Sequence, residues 1–407
     1  MLSQTVSILG DLITGPVWPQ RLRQRLAALY TVLESIVAPQ AADADRKGRY
    51  PFESIAALKN VGLMAAALPE SYGGWGLTQA ESQELLLTLA IADSSVAQIY
   101  KVHDDLVREI FSIADARSCT HLAHLIVSRS FILGQAIAEN GKRADTFGHV
   151  IAAPDASGTY YLTGQKIYAT GAHGADLIGV TSYDMVQQTM RFDLLLREAP
   201  GVTLCDDWNR LGQRATDSGT VIFDRTPLKS DLFVPRPGAM PPDWSSLRYQ
   251  NGFSVILAGI AVAALREALL FIKERSRPWI EVNGSSATDD PFVRRLVGEI
   301  GADVAGSVTA VRHAAQQFDA CASGLVSRAE AAMAVYAARS LASRASLRAT
   351  SDIMSAMGAR ATDLSVGFDR YWRDARTLSL HDPVEWKHEE IGNHLLTGWL
   401  PAPGLYR

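Results

Sequence analysis

The chain has 407 residues, 47% of them apolar and 20% charged, with a formal net charge of −4. That length exceeds one compact core and points to two or three domains of roughly 100–200 residues each. The mildly acidic balance, with no basic stripe, argues against a nucleic-acid partner.

Cys119, Cys205 and Cys321 lie far apart, with no CxxC pair and no zinc-like spacing, as expected of structural thiols in a reducing cytosol. The most apolar run, Val255 to Leu265, stops at Arg266 and Glu267. It is shorter than the ~20 apolar residues of a membrane span. The first fifteen residues include Asp11 and no basic start, unlike a signal peptide. A cytoplasmic protein with no membrane, nucleic-acid or metal partner is expected.

Residues 1 to about 130 read as helical. Leu22, Leu26, Leu29 and Leu33 recur at helical spacing, and Pro51 opens a further helix through Leu58. A loop at Leu68-Pro-Glu-Ser-Tyr-Gly-Gly-Trp-Gly interrupts the pattern, and helices resume through Ile91 and near Val107. From about 131 to 240 short β-rich runs take over: Ser130 to Ala136, Tyr160 to Thr163, Leu177 to Thr181, Phe192 to Leu196 and Thr220 to Phe223. Gly, Asp and Pro separate them, which predicts an antiparallel sandwich or barrel. Helices return over 251–275, 291–321, 326–357 and 385–397, Ala- and Leu-rich as in a tightly packed bundle.

Five segments in this order resemble the acyl-CoA dehydrogenase superfamily. They are Asp45-Arg-Lys-Gly-Arg-Tyr-Pro51 with Pro69-Glu-Ser-Tyr-Gly-Gly74; Leu162-Thr-Gly-Gln-Lys166 with Thr170-Gly171; Leu211-Gly-Gln-Arg214 through Phe233-Val-Pro235; Glu274-Arg-Ser-Arg277 with Trp279; and Arg370-Tyr-Trp-Arg-Asp-Ala-Arg376. The resemblance implies an α+β, acyl-CoA dehydrogenase-like fold. Its parts would be an N-terminal helical domain (1–130), a middle antiparallel β domain (131–240) and a C-terminal four-helix bundle (241–407). It also implies a homotetramer.

Three departures set the chain apart from the dehydrogenases. Where those carry a glutamate base in a Tyr-Glu-Gly turn, this chain reads Leu380-His381-Asp382-Pro383. Asp is one methylene shorter, and a base must reach its proton. Gly134-Gln-Ala-Ile-Ala-Glu-Asn140 stands in for Thr-Glu-Pro and Gly-Ser-Asp elements, and Ser355-Ala-Met-Gly358 replaces a glycine-rich turn for the adenine half of FAD. Leu-His-Asp-Pro resembles instead the flavin-dependent monooxygenase branch. Its members take reduced flavin from a separate NAD(P)H:flavin reductase and form a C4a-hydroperoxide with O₂. Leu378 stands where dibenzothiophene monooxygenases carry a second histidine.

The same resemblance assigns site residues. His381 would manage a proton beside the flavin, or merely order its turn; Asp382 would orient it, act as a base, or shape the loop. His103 falls at a pocket histidine's position, although a helix face with Asp104 and Asp105 also reads as solvated surface. Thr170 would bond the flavin near N5, with Tyr168 and Trp208 beside its ring. Arg277, Trp279 and Gly358 would meet the nucleotide end. His173, His388 and His394 carry little weight. The leading function is a monooxygenase using reduced flavin, FMN favoured and FAD possible, on a small apolar, sulfur-containing or aromatic substrate. The alternatives are an acyl-CoA dehydrogenase or oxidase with Asp382 as base, and a catalytically lapsed scaffold.

Overall fold

The computed structural model describes residues 12–141, 148–228, 232–236 and 240–404. Most of the opening stretch weighed as a signal peptide, residues 1–11, lies outside them. Helix α1 (Arg23–Val32) runs through a π-helical turn (Leu33–Val37) into α2 (Ala38–Lys47). Leu22, Leu26, Leu29, Leu33 and Val37 are buried along one stripe, as the spacing predicted. The first region continues with α3 (Phe52–Asn60), a 3-10 turn (Leu63–Ala67), α4 (Gln79–Ala92), α5 (Ser94–Ile113) and α6 (Ala116–Arg129). Thr78 and Glu81 form a capping box at α4, and the Asp93 carboxylate accepts from Ser95 N and Val96 N at the start of α5.

Among the described residues seven strands form one sheet: β1 (Leu133–Ala136), β2 (Ile151–Pro154), β3 (Tyr160–Lys166), β4 (Leu177–Asp184), β5 (Thr189–Leu196), β6 (Val202–Leu204) and β7 (Val221–Pro227). The order is β1-β4-β2-β3-β7-β6, with β5 on the other side of β4. The expectation of an antiparallel domain needs correction. β4 pairs antiparallel with β5, but parallel with both β1 and β2. The chain reaches β4 from β1 and β2 by way of β3 and the turn after it, and an intervening crossover of this kind permits parallel pairing.

The C-terminal region holds α7 (Ser245–Glu274), α8 (Pro291–Ala322), α9 (Arg328–Thr350), a single turn α10 (Met354–Met357), α11 (Asp369–Ser379) and α12 (Val384–Thr397). Helices α7, α8 and α9 pack on one another, α12 packs on α9, and α4 from the first region packs on α7 and α8. One apolar core therefore runs from Leu22 to Leu378, and a second, smaller one lies in the sheet. Helix α7 is long and apolar enough to cross a membrane, yet 78% of its most apolar window is buried among these neighbours. It is the central core helix, much longer than its apolar run suggested.

Candidate active site

Two groups of residues converge on α11 and the loop that follows it. The first lies at the end of β3. Tyr168 adopts φ +52°, unusual for a side chain of its size. The residue is 48% exposed and its ring meets Trp208 edge-on, with centroids 5.9 Å apart. Trp208 Nε1 donates to Gln213 O at 2.9 Å. The Thr170 hydroxyl, almost fully buried, lies 2.8 Å from Ser218 Oγ, which lies 2.8 Å from Thr216 Oγ. Thr216 Oγ donates to Gln213 O at 2.8 Å. Each hydroxyl has one hydrogen, so Ser218 donates to Thr216 and Thr170 donates to Ser218. Thr170 Oγ is left able to accept.

Gln213 and Asp217 also have positive φ, +52° and +47°. Three of the six non-glycine left-handed residues among the described ones thus surround this relay, and such strain collects at functional sites. Gln213 ties the three regions together. Its N–H donates to Asp374 Oδ1 (2.6 Å) on α11, and its amide donates to Ser94 Oγ (3.0 Å) on α5. Ser94 Oγ donates in turn to Asp374 Oδ2 at 2.8 Å. Burial pushes Asp374 up to about 6, against the pull of Arg370 and these hydrogen bonds. Gly212 allows the approach: a Cβ there would lie 2.0 Å from Arg373 O.

The second group follows α11. His381 keeps 39% of its side chain open, while its ring packs on Phe253 of α7 with centroids 3.9 Å apart. The protein packed around its ring keeps enough water away to hold the imidazole below its ordinary pKa, with Asp382 opposing and the charges of Arg339 and Lys101 assisting. Asp382 is 5% exposed and lies 3.7 Å from His381 Nδ1. Arg339, fully buried on α9, reaches it at 3.0 Å and also donates to Leu378 O at 3.1 Å. With its amide nitrogen facing Asp382, Gln250 donates to both carboxylate oxygens at 3.2 and 3.3 Å. Burial alone would raise Asp382; the His381 contact and the Arg339 charge bring it below its ordinary value. This carboxylate is an anchored anion, poorly suited to be the base that a dehydrogenase needs.

His103 needs a different account from the one its sequence position suggested. It is fully buried, with Nδ1 accepting from Leu133 N–H at 3.1 Å and Nε2 lying 2.9 Å from Met64 O, to which it donates. Both ring nitrogens serve backbone groups, so it joins α5, β1 and the turn Leu63–Ala67 rather than lining a pocket. Asp104 and Asp105 are not solvated either. Arg248 on α7 pairs with both, at 3.0 and 2.8 Å, and Arg108 and Lys101 complete the cluster.

The segments that carry Arg277 and Gly358 meet elsewhere. Ser276 Oγ donates to Met357 O (2.8 Å) and Arg360 donates to Arg275 O (3.1 Å), pinning the segment after α7 against the turn at Gly358. Arg277, Trp279 and Gly358 are exposed, Trp279 by 67%, and Gly358 has φ +81° with open space beside it. No group of three His, Cys, Asp or Glu among the described residues is placed to hold a metal. His388 bonds Ser340 Oγ, His394 bonds Trp399 O, and His173 pairs with Asp217. Cys119 is buried, whereas Cys205 and Cys321 are half-buried and all three are free thiols.

The architecture and both groups of residues suit a flavoenzyme, and comparison with known proteins gives the same class. The family description "Acyl-CoA dehydrogenase, N-terminal domain" matches residues 21–142, and "Acyl-CoA dehydrogenase, C-terminal domain" matches 251–386. Dibenzothiophene monooxygenase of Rhodococcus qingshengii is 31% identical over 384 residues, covering 90% of this chain and 91% of that protein. FMN-bound TdsC from Paenibacillus sp. A11-2 superposes with a TM-score of 0.88 at 27% identity, over 94% of this chain and 100% of that one. Methanesulfinate monooxygenase MsuC from Pseudomonas fluorescens gives 0.84 at 26% identity, over 96% and 100%. The chain belongs to the acyl-CoA dehydrogenase superfamily, in its flavin-dependent monooxygenase branch.

Proposed function

We propose that this protein is a two-component monooxygenase that uses reduced FMN and O₂ to oxygenate a small, apolar, sulfur-containing or aromatic molecule. A separate NAD(P)H:flavin reductase supplies the reduced flavin. The observation that carries this reading is the contrast at 381–382: Asp382 is clamped by Arg339, while the neighbouring imidazole stays open. A dehydrogenase would need the reverse, a free carboxylate at that place.

The residues suit a flavin. Reduced flavin supplies the electrons that activate O₂. Its N5 carries a hydrogen that oxidised flavin lacks, and Thr170 Oγ is the acceptor that the hydroxyl relay leaves over. Tyr168 and Trp208 offer apolar ring surface beside it. Arg277 and Trp279, exposed on the segment pinned against the turn at Gly358, would take the phosphate end; a guanidinium matches phosphate oxygens in pairs. His381 would hold or release the proton that oxygen transfer moves, and Phe253 keeps water from one face of it. Trp386, Leu395 and Leu396 on α12 are 60%, 76% and 88% exposed. Cover for these exposed apolar side chains is the ground for a homotetramer, with the cytoplasm as its location.

The test uses purified protein, reduced FMN and ¹⁸O₂, with dibenzothiophene and methanesulfinate as probes. Incorporation of label into a probe is the expected result. Anaerobic bleaching of bound oxidised flavin by an acyl-CoA would overturn the reading. A monomer by light scattering at micromolar concentration would remove the tetramer.

A further inference from the structure

Lys101 carries an ammonium deep into the molecule. Its side chain is 6% exposed and pairs with Asp105 at 2.7 Å. The same ammonium lies 4.1 Å from the centroid of the Phe253 ring. The other partner of that ring is His381, at 3.9 Å with 30° between the planes. One face of a phenyl ring has no room for both groups at such distances. The ammonium and the imidazole therefore sandwich Phe253 from opposite sides.

We propose that Lys101 is a positioning residue for His381. Anchored by Asp105, it holds the Phe253 ring by cation–π attraction, and Phe253 sets the plane of the imidazole. The proposal rests on the reading of His381 as the group that manages the proton.

A second observation supports it. Gly252 lies inside α7, where glycine is disfavoured. A Cβ at 252 would sit 2.5 Å from Lys101 Cε and 3.1 Å from Cδ. The glycine thus clears the path by which the lysine stem reaches Phe253. Asp105 is held independently by Arg248 at 2.8 Å. The lysine is therefore not required merely to neutralise it, and its extra contact is with the ring. The charged groups facing the imidazole are Asp382 from its own loop, Arg339 from α9 and Lys101 from α5. Behind Lys101 stand Asp105 of α5 and Arg248 of α7. The ammonium, about 8 Å from the imidazole across the ring, resists its protonation by simple repulsion.

The test uses the full-length protein. Diethyl pyrocarbonate modifies neutral imidazole, and peptide mass spectrometry follows His381 against pH in flavin-free protein, with His124 and His388 as internal references. Product per reduced FMN consumed is measured in parallel. For Lys101→Met, whose Asp105 retains Arg248, the His381 midpoint should rise by roughly half a pH unit, the size expected of one charge at that range. Product yield should fall roughly tenfold, as for a sub-ångström loss of alignment. Lys101→Arg should restore both. Gly252→Ala favours the helix but displaces the lysine stem, so it should lower the yield while the fold is kept. A wild-type midpoint in Lys101→Met overturns the proposal whatever the yield does, because the ammonium would then not stand across the ring from the imidazole. A wild-type yield in both Lys101→Met and Gly252→Ala overturns it too. The underlying reading fails separately, if His381→Ala keeps full product yield.

Discussion

Replacing Asp382 with asparagine separates anchoring from chemistry. Asp382 and Arg339 are 5% and 1% exposed at their side chains and lie 3.0 Å apart, so the substitution strands a buried guanidinium. Removing one member of such a pair costs about 3–5 kcal/mol. Leu378 O still accepts from Arg339, and the asparagine oxygen remains a neutral acceptor. The lower end, about 3 kcal/mol, is therefore expected. Urea unfolding followed by tryptophan fluorescence measures it, beside product formed per reduced FMN. Product should fall less than tenfold, through looser placement of His381. Adding Arg339→Gln should recover stability, since a neutral pair leaves no stranded charge. Unchanged stability together with a loss of product beyond a hundredfold would refute the reasoning and make the carboxylate a direct participant.

His381→Ala should leave folding and flavin binding near normal while product falls by ~10²–10⁴-fold, with the missing electrons recovered as hydrogen peroxide in a peroxidase-coupled assay. Ser218→Ala frees the Thr170 hydroxyl hydrogen to point elsewhere, so the preference for reduced over oxidised FMN should shrink in anaerobic titrations; an unchanged ratio counts against the relay. Asp374, raised to about 6 by burial, binds its proton more tightly in the folded than in the unfolded chain. Its contribution is thus fully present below the ordinary carboxylate range and is lost as pH rises through about 6. The total change amounts to on the order of 3 kcal/mol and should disappear from the pH profile of urea stability in Asp374→Asn.

Much of this arrangement was legible in the chain. Leucine spacing located the first helices, and the ordered motifs carried the family and its fold. What escaped depended on distant partners. His103 looked like a pocket residue because nothing local says that Met64 and Leu133 would occupy its two nitrogens. Asp104 and Asp105 looked solvated because their partner Arg248 is more than 140 residues away. Arg339 is one of several arginines on α9, and its neighbours Arg344 and Arg348 are far more exposed. Only the tertiary packing distinguishes them. Strands β2 and β6, Ile-Ala-Ala-Pro and Val-Thr-Leu, are too short to show a period of two, and parallel pairing with β4 leaves no local signature. Gln213 stood in view within a recognised motif, but its left-handed backbone did not.

Helix α7 has a consequence for how the chain is made. Its partners are unevenly placed along the sequence: α4 precedes it by some 150 residues, whereas α8 and α9 end only at 322 and 350. A nascent or truncated chain that stops before 291 would present this 30-residue helix without the cover of α8 and α9, and its most apolar stretch is long enough to enter a bilayer or to self-associate. Expression of the first 290 residues alone is thus expected to yield aggregate or membrane-adherent material. Refolding from denaturant should likewise improve with dilution or a holdase chaperone until α8 and α9 have closed over it.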